Sequence, residues 1–204
     1  MRKIFVTGIG TDIGKTVVSA ILVEALKADY WKPVQTGSFF TTDSDTVRKL
    51  ISNTVSVIHP ECYCLKDPKS PHEAAANENV IIDQGKIVLP PCTNKTLVIE
   101  GAGGVMVPLN DSYFMVDLIR KFDAEAVVVT QNYLGSINHS LLTIDVLKQR
   151  GIKIAGIIFS GSPHLPSEEI ILKYTGVKRL AHISREDKID KATILKYTRD
   201  FESI

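Results

Sequence analysis

The segment Gly8-Ile9-Gly10-Thr11-Asp12-Ile13-Gly14-Lys15-Thr16 carries the clearest chemistry in the chain. It follows a β-rich run, Arg2 to Thr7, and opens a helical run, Thr16 to Lys27, which is the context a phosphate-binding P-loop requires. Unpaired N–H groups at a helix start attract phosphate, and glycines let the backbone come close. Lys15 can reach the β- and γ-phosphates of a nucleotide, and the Thr16 hydroxyl can ligate Mg²⁺. Five residues separate Gly8 from Gly14, where four are usual, and Ile9 stands where a glycine would restore the spacing. A dinucleotide-binding turn is the rival reading of these glycines. It expects an acid at the end of the second strand, where this chain has Lys32, and it gives Lys15-Thr16 no role.

Magnesium at such a loop needs a carboxylate at a strand end. Glu100 closes the apolar run Thr96 to Glu100 and precedes Gly101-Ala102-Gly103-Gly104. Asp43 and Asp45 open a predicted helix over Asp43 to Ile51, where capping competes with metal binding as their role. Lys32 and Thr36 follow the second strand, Tyr30 to Val34, and a lysine at the carboxyl end of a parallel strand points into the ligand crevice or stands solvated beside it.

Short apolar runs alternate with longer amphipathic ones along the chain. Ala126 to Thr130 and Ile152 to Ser160 read as strands, the first buried on both faces. Asn138 to Arg150 reads as a helix ending before Gly151. Ser167 is placed to cap another helix running to Tyr174, and Asp190 to Tyr197 forms a last one. This alternation predicts an α/β fold: one P-loop domain over residues 1–204, with a mostly parallel sheet flanked by helices. The stretch Ser52 to Pro91 reads as a loop-rich insertion.

A net charge of +1 gives no reason to expect nucleic acid or a membrane surface as partner. No apolar run approaches the ~18 residues of a membrane span, and the apolar start is too short for a signal peptide, so the expected location is the cytoplasm. Cys62, Cys64 and Cys92 make an odd number without a CxxC. His59, Cys62, Cys64 and His72 match no standard zinc spacing, so the thiols are read as buried or idle.

The chain resembles the dethiobiotin synthetases of biotin synthesis. The resemblance rests on Val6-Thr7-Gly8 through Thr16, Tyr30 to Val34, Ser70-Pro71-His72, Val98 to Gly104 with Val107-Pro108-Leu109, and Leu134 to His139, in family order. It implies an ATP-dependent cyclo-ligase acting on 7,8-diaminononanoate and CO₂. One amine becomes a carbamate, ATP phosphorylates it to a carbamic-phosphoric anhydride, and the second amine closes a cyclic urea. It further implies a homodimer with substrate near the subunit interface.

Carried over by position, the resemblance assigns Mg²⁺ to Thr16, Asp45 and Glu100. Asp12, Ile13, Gly14, Lys15, Thr16 and Val17 would wrap the phosphates, beside Gly101, Ala102 and Gly103. Lys15 and Lys32 would stabilise the carbamate and the transferred phosphoryl group. Thr36 would contact substrate, and Gly135, Ser136, Ile137 and Asn138 would offer N–H groups to the substrate carboxylate. Two departures fall at the adenine: the family strand ending in Asn ends here in Ser160, and the later proline-bearing segment reads His182-Ile183-Ser184-Arg185. Alternatives are a ParA/MinD-like ATPase switch and an ATP-dependent amidase of cobalamin synthesis. The first usually carries a lysine between Gly8 and Gly14, and the second a glutaminase half; neither occurs in the sequence.

Overall fold

The computed structural model describes residues 1–37 and 40–201. The chain runs β1 (Arg2–Gly8), α1 (Lys15–Leu26), β2 (Asp29–Trp31), β3 (Val34–Gln35), α2 (Asp43–Leu50), β4 (Ile58–His59), β5 (Tyr63–Cys64) and α3 (Pro71–Asn77). It continues through β6 (Thr96–Glu100), β7 (Pro108–Asn110), β8 (Tyr113–Phe114), α4 (Met115–Lys121), β9 (Glu125–Gln131) and α5 (Ser136–Gln149). It closes with β10 (Ile154–Ser160), α6 (Leu165–Thr175), β11 (Arg179–Ile183), α7 (Lys191–Thr198) and a 3₁₀ turn over Arg199–Phe201.

Seven strands form the main sheet in the order β11-β10-β9-β1-β6-β2-β4, and every neighbouring pair is parallel. Side chains alternate across a strand, so each apolar run feeds two cores. Phe5, Leu97, Ile99, Ala126, Val128 and Phe159 meet α4, α5 and α6 on one face. Ile4, Val6, Val98, Val127, Val129 and Ile158 meet α1, α2 and α7 on the other. This burial on both faces is why the strands read as unbroken hydrophobic runs.

Several boundaries differ from the sequence expectation. The run Tyr30 to Val34 is not one strand. Pro33 cannot donate to a ladder, so β2 ends before it, and its carbonyl instead accepts from Cys62 N at 3.0 Å and Tyr63 N at 3.1 Å. The chain then starts β3, which pairs with β5 outside the main sheet. The cap of α6 is His164, whose Nδ1 accepts from Ser167 N at 3.3 Å, rather than Ser167 itself. Helix α5 begins at Ser136, not Asn138, after Gly135 at φ 103°. The insertion from Ser52 to Pro91 contains β4, β5 and α3, and Leu65, Ile82 and Ile87 anchor it in the core.

Candidate active site

The carboxyl ends of β1, β6 and β2 open on a cavity of about 760 Å³. The loop after β1 crosses beneath it. Ile13 turns down into the core, 4% exposed, which lifts the backbone on either side toward the cavity. Gly14 takes φ 92°, and a Cβ there would lie 2.9 Å from Ser160 Oγ, so only glycine fits this turn. Helix α1 has no side-chain cap and no acid in its first turn. Its unpaired N–H groups and positive dipole end are therefore left for an anion.

Glu100 organises the charges. It is 1% exposed, and its Oε1 accepts from Thr16 Oγ1 at 2.9 Å and from Lys32 Nζ at 3.2 Å. Its Oε2 accepts from Tyr30 OH at 3.0 Å. Lys32 also donates to Asp43 Oδ2 and is 4% exposed. Burial opposes the charge on Lys32, but Glu100 and Asp43 outweigh it and raise the pKa above the ordinary lysine value. Burial, followed by the same two carboxylates, holds the Tyr30 phenol firmly protonated. Lys15 differs. Its Nζ donates to Gly10 O at 2.6 Å, and burial lowers its pKa to about 8, with Glu100 opposing and Lys32 adding to the fall.

The structure brings together Asp12, Gly14, Lys15, Thr16, Val17, Lys32, Thr36, Glu100, Ala102 and Gly103, all lining the cavity. Gly101 lies behind it: its N–H donates to Val6 O at 3.0 Å, and a Cβ would meet Phe5 at 2.8 Å. Asp45 does not line the cavity. Its Oδ2 accepts from Thr42 N at 3.1 Å in the capping box of α2, and its Oδ1 pairs with Arg48 at 2.8 Å. Its pKa is lowered chiefly by the bond from Thr42 N. Asp43, two residues earlier, lines the cavity and reaches Lys32. Gly135, Ser136, Ile137 and Asn138 do not line it either; they start α5 beyond the end of β9. Sequence reasoning missed Tyr30 and Gln35. Tyr30 shares a face with Lys32 by strand alternation, and that was the available signal. Gln35 Oε1 accepts from Asp43 N at 3.1 Å and so fixes the start of α2.

A parallel sheet with helices on both faces, and a phosphate loop between its central strand and the next helix, defines a P-loop nucleotide-binding protein. In fold the chain is similar to the septum site-determining protein MinD from Pyrococcus horikoshii, solved with Mg-ADP. That match has a TM-score of 0.60 at 16% identity and covers 99% of this chain and 96% of the other. A ParA family ATPase from Chlorobium tepidum matches with a TM-score of 0.59 at 12% identity, over 99% and 92%. At such identities the likeness concerns the fold alone. The family model described as an AAA domain matches residues 2–193. Among curated proteins, the ATP-dependent dethiobiotin synthetase BioD of Cytophaga hutchinsonii is 55% identical over 97% of this chain and 95% of its own length. The protein of the same name from Christiangramia forsetii is 49% identical over 98% and 96%. The chain belongs to the ATP-dependent dethiobiotin synthetase family.

Proposed function

We propose that this chain carboxylates 7,8-diaminononanoate with CO₂ and closes the cyclic urea dethiobiotin, using ATP and releasing ADP and phosphate. The observation that carries the reading is the buried Glu100 carboxylate, which ties the P-loop hydroxyl of Thr16 to the ammonium of Lys32 across one cavity. A carbamate oxygen attacking the γ-phosphorus spreads negative charge over the transferred phosphoryl group. Lys15, Lys32 and the N–H groups of α1 are fixed donors at that end of the cavity, and fixed donors lower the barrier without reorganising. No side chain forms a covalent bond in this scheme, since the carbamate itself is the nucleophile.

The oxygens of Thr16, Glu100 and Asp43 suit Mg²⁺, a hard cation that takes oxygen ligands. The fit has a visible sign: the Lys32 ammonium already sits between Asp43 and Glu100, so these carboxylates are arranged to face positive charge. Thr16, Glu100 and Asp43 would hold the ion, with Asp43 in the place the family resemblance gave to Asp45. When bound, Mg²⁺ would neutralise charge on the β- and γ-phosphates.

The protein acts, on this reading, as a cytoplasmic homodimer. Tyr133, Leu134, Ile137 and Leu142 leave an apolar strip exposed around the start of α5, with Leu134 fully exposed. An interface there would let Gly135 to Asn138 of one protomer serve the substrate carboxylate in its partner's cavity. Among the described residues no helix is long and apolar enough to cross a membrane.

Mass spectrometry of product from diaminononanoate, bicarbonate and ATP tests the activity. Phosphate release that ignores the diamine and bicarbonate would overturn it. Sedimentation tests the dimer, and a fully active monomer at assay concentration would remove it.

A further inference from the structure

At the far edge of the sheet, three residues distant in sequence converge on one point. Asp29 opens β2 and has no exposed surface. Its Oδ1 accepts from Val57 N at 2.9 Å and from Asn94 Nδ2 at 2.6 Å. Its Oδ2 is buried and takes no hydrogen bond from any N–H; the Cys92 thiol is the donor that faces this carboxylate. That oxygen lies 3.7 Å from His59 Nε2, and Cys92 Sγ lies 3.7 Å from the same nitrogen. His59 ends β4, beside Trp31 in the ladder, and is 7% exposed. All three donor atoms lie within 4.8 Å of one another. None of the three residues lines the nucleotide cavity.

A relay in which cysteine and aspartate act through opposite sides of the imidazole would use both ring nitrogens. Here both neighbours address Nε2, and the N···O separation exceeds the ordinary hydrogen-bond range of about 2.7–3.2 Å. Three donors around a common centre are the geometry of ligation. A tetrahedral Zn²⁺, with bonds of about 2.3 Å to sulfur and about 2.0 Å to nitrogen and oxygen, holds N and S about 3.6 Å apart and N and O about 3.3 Å apart. The two observed spacings to His59 Nε2 need shifts of only a few tenths of an ångström, and the sulfur and carboxylate lie within 4.8 Å of each other. Charge balances as well: a thiolate and a carboxylate neutralise a divalent ion, leaving a buried site without net charge. Nitrogen and sulfur donors select zinc-class metals over Mg²⁺.

We propose that Asp29, His59 and Cys92 form a binding site for a zinc-class divalent cation, separate from the nucleotide cavity. The ion clamps the segment before β6, which carries Cys92, onto the β2–β4 edge. The half-buried side of Cys92 leaves room for a solvent ligand to complete the tetrahedron. Cys62, Cys64 and His72, which lie near His59 in sequence, take no part; all three are exposed.

The test uses chelator-treated full-length protein titrated with Co²⁺, in saturating Mg²⁺ and ATP to keep the probe out of the oxygen-lined cavity. We expect one equivalent per chain to produce a thiolate-to-cobalt charge-transfer band and a tetrahedral visible spectrum, both removed by Zn²⁺. Cys92→Ser should abolish the band and weaken Zn²⁺ binding by more than about tenfold, the loss typical of an outer-shell partner alone. Cys62→Ser and Cys64→Ser should retain it. Iodoacetamide labelling of the unmutated protein, read by mass spectrometry, gives an answer independent of variant folding: Zn²⁺ should slow modification of Cys92 and leave Cys62 and Cys64 unaffected. Absence of the charge-transfer band in the unmutated protein, its survival in Cys92→Ser, or equal labelling of Cys92 with and without Zn²⁺ would each overturn the site.

Discussion

The two ends of the nucleotide crevice are built differently. At the phosphate end, Thr16, Tyr30, Lys32, Asp43 and Glu100 hold one another in a single network centred on buried Glu100 and Lys32. At the proposed base end, Ser160 stands against Gly14, and the two carbonyls that follow are already used. Gly161 O is 2.9 Å from His182 Nε2, and Ser162 O accepts from Asn132 at 3.0 Å. Glu168 draws Asn132 and His182 together there through Oε1, while its Oε2 faces the Arg179 guanidinium at 3.8 Å. One end presents fixed charges to a ligand, whereas the other satisfies itself. On the proposed function, the contrast means a site organised around triphosphate and metal, with little committed to the base.

The largest effect should come from breaking the phosphate end. Lys15→Ala removes a donor to the transferred phosphoryl group, worth roughly 10²–10³ in kcat. Steady-state kinetics decides it, and retention of half the activity would sink the assignment.

Next, Asp43→Asn and Asp45→Asn separate metal binding from capping. Asp43→Asn should raise the Mg²⁺ concentration for half-maximal activity by about 10- to 100-fold. Asp45→Asn should leave that concentration unchanged and lower thermal stability slightly. The reverse pattern would restore Asp45 to the metal site.

Lys15 also sets a pH limit. Its pKa in the free protein is lowered to about 8, and its protonated form is the one that serves phosphate. The charge is therefore nearly complete well below pH 8, half lost at about pH 8 and gone well above it, so kcat/KM for Mg-ATP should approach a fall of about tenfold per pH unit on the alkaline side. A profile flat to pH 10 would show that Lys15 keeps its proton in spite of burial.

The smallest expected difference lies at the base end. Ser160 has a short rotating hydroxyl where the resembling family has an amide that donates and accepts in one plane. ATP, GTP and CTP should differ in kcat/KM by tenfold or less, about 1.4 kcal/mol. A preference for ATP above a hundredfold would mean that another residue reads the base.

The phosphate end was also the legible end. Gly14-Lys15-Thr16 and Glu100 owe their positions to local events, a strand end and a helix start, which leave patterns in neighbouring residues. The buried strands were legible for the same reason. Which of Asp43 and Asp45 lines the cavity was not, because two aspartates at one helix start look alike until α2 is oriented against Lys32. The break at Pro33 has a local cause, the missing N–H, but the β3–β5 pairing that follows it depends on Cys62 and Tyr63 arriving from the insertion. The meeting of Asp29, His59 and Cys92 was hidden by separation alone: β2, β4 and the approach to β6 lie side by side only in the folded sheet.

The strand order has a consequence for how the molecule is made. β1 precedes every other strand of this sheet in chain order, yet it sits between β6 and β9, whose partner residues begin at Thr96 and Glu125. More than half the chain must leave the ribosome before that strand has both neighbours. Closing such long loops is entropically slow, so this topology favours late, cooperative folding over stepwise growth from the N-terminus. Until β9 arrives, the apolar run through Ile4, Phe5 and Val6 stays incompletely covered. Chaperone occupancy of nascent chains should accordingly persist past residue 125 and drop once β9 clears the exit tunnel.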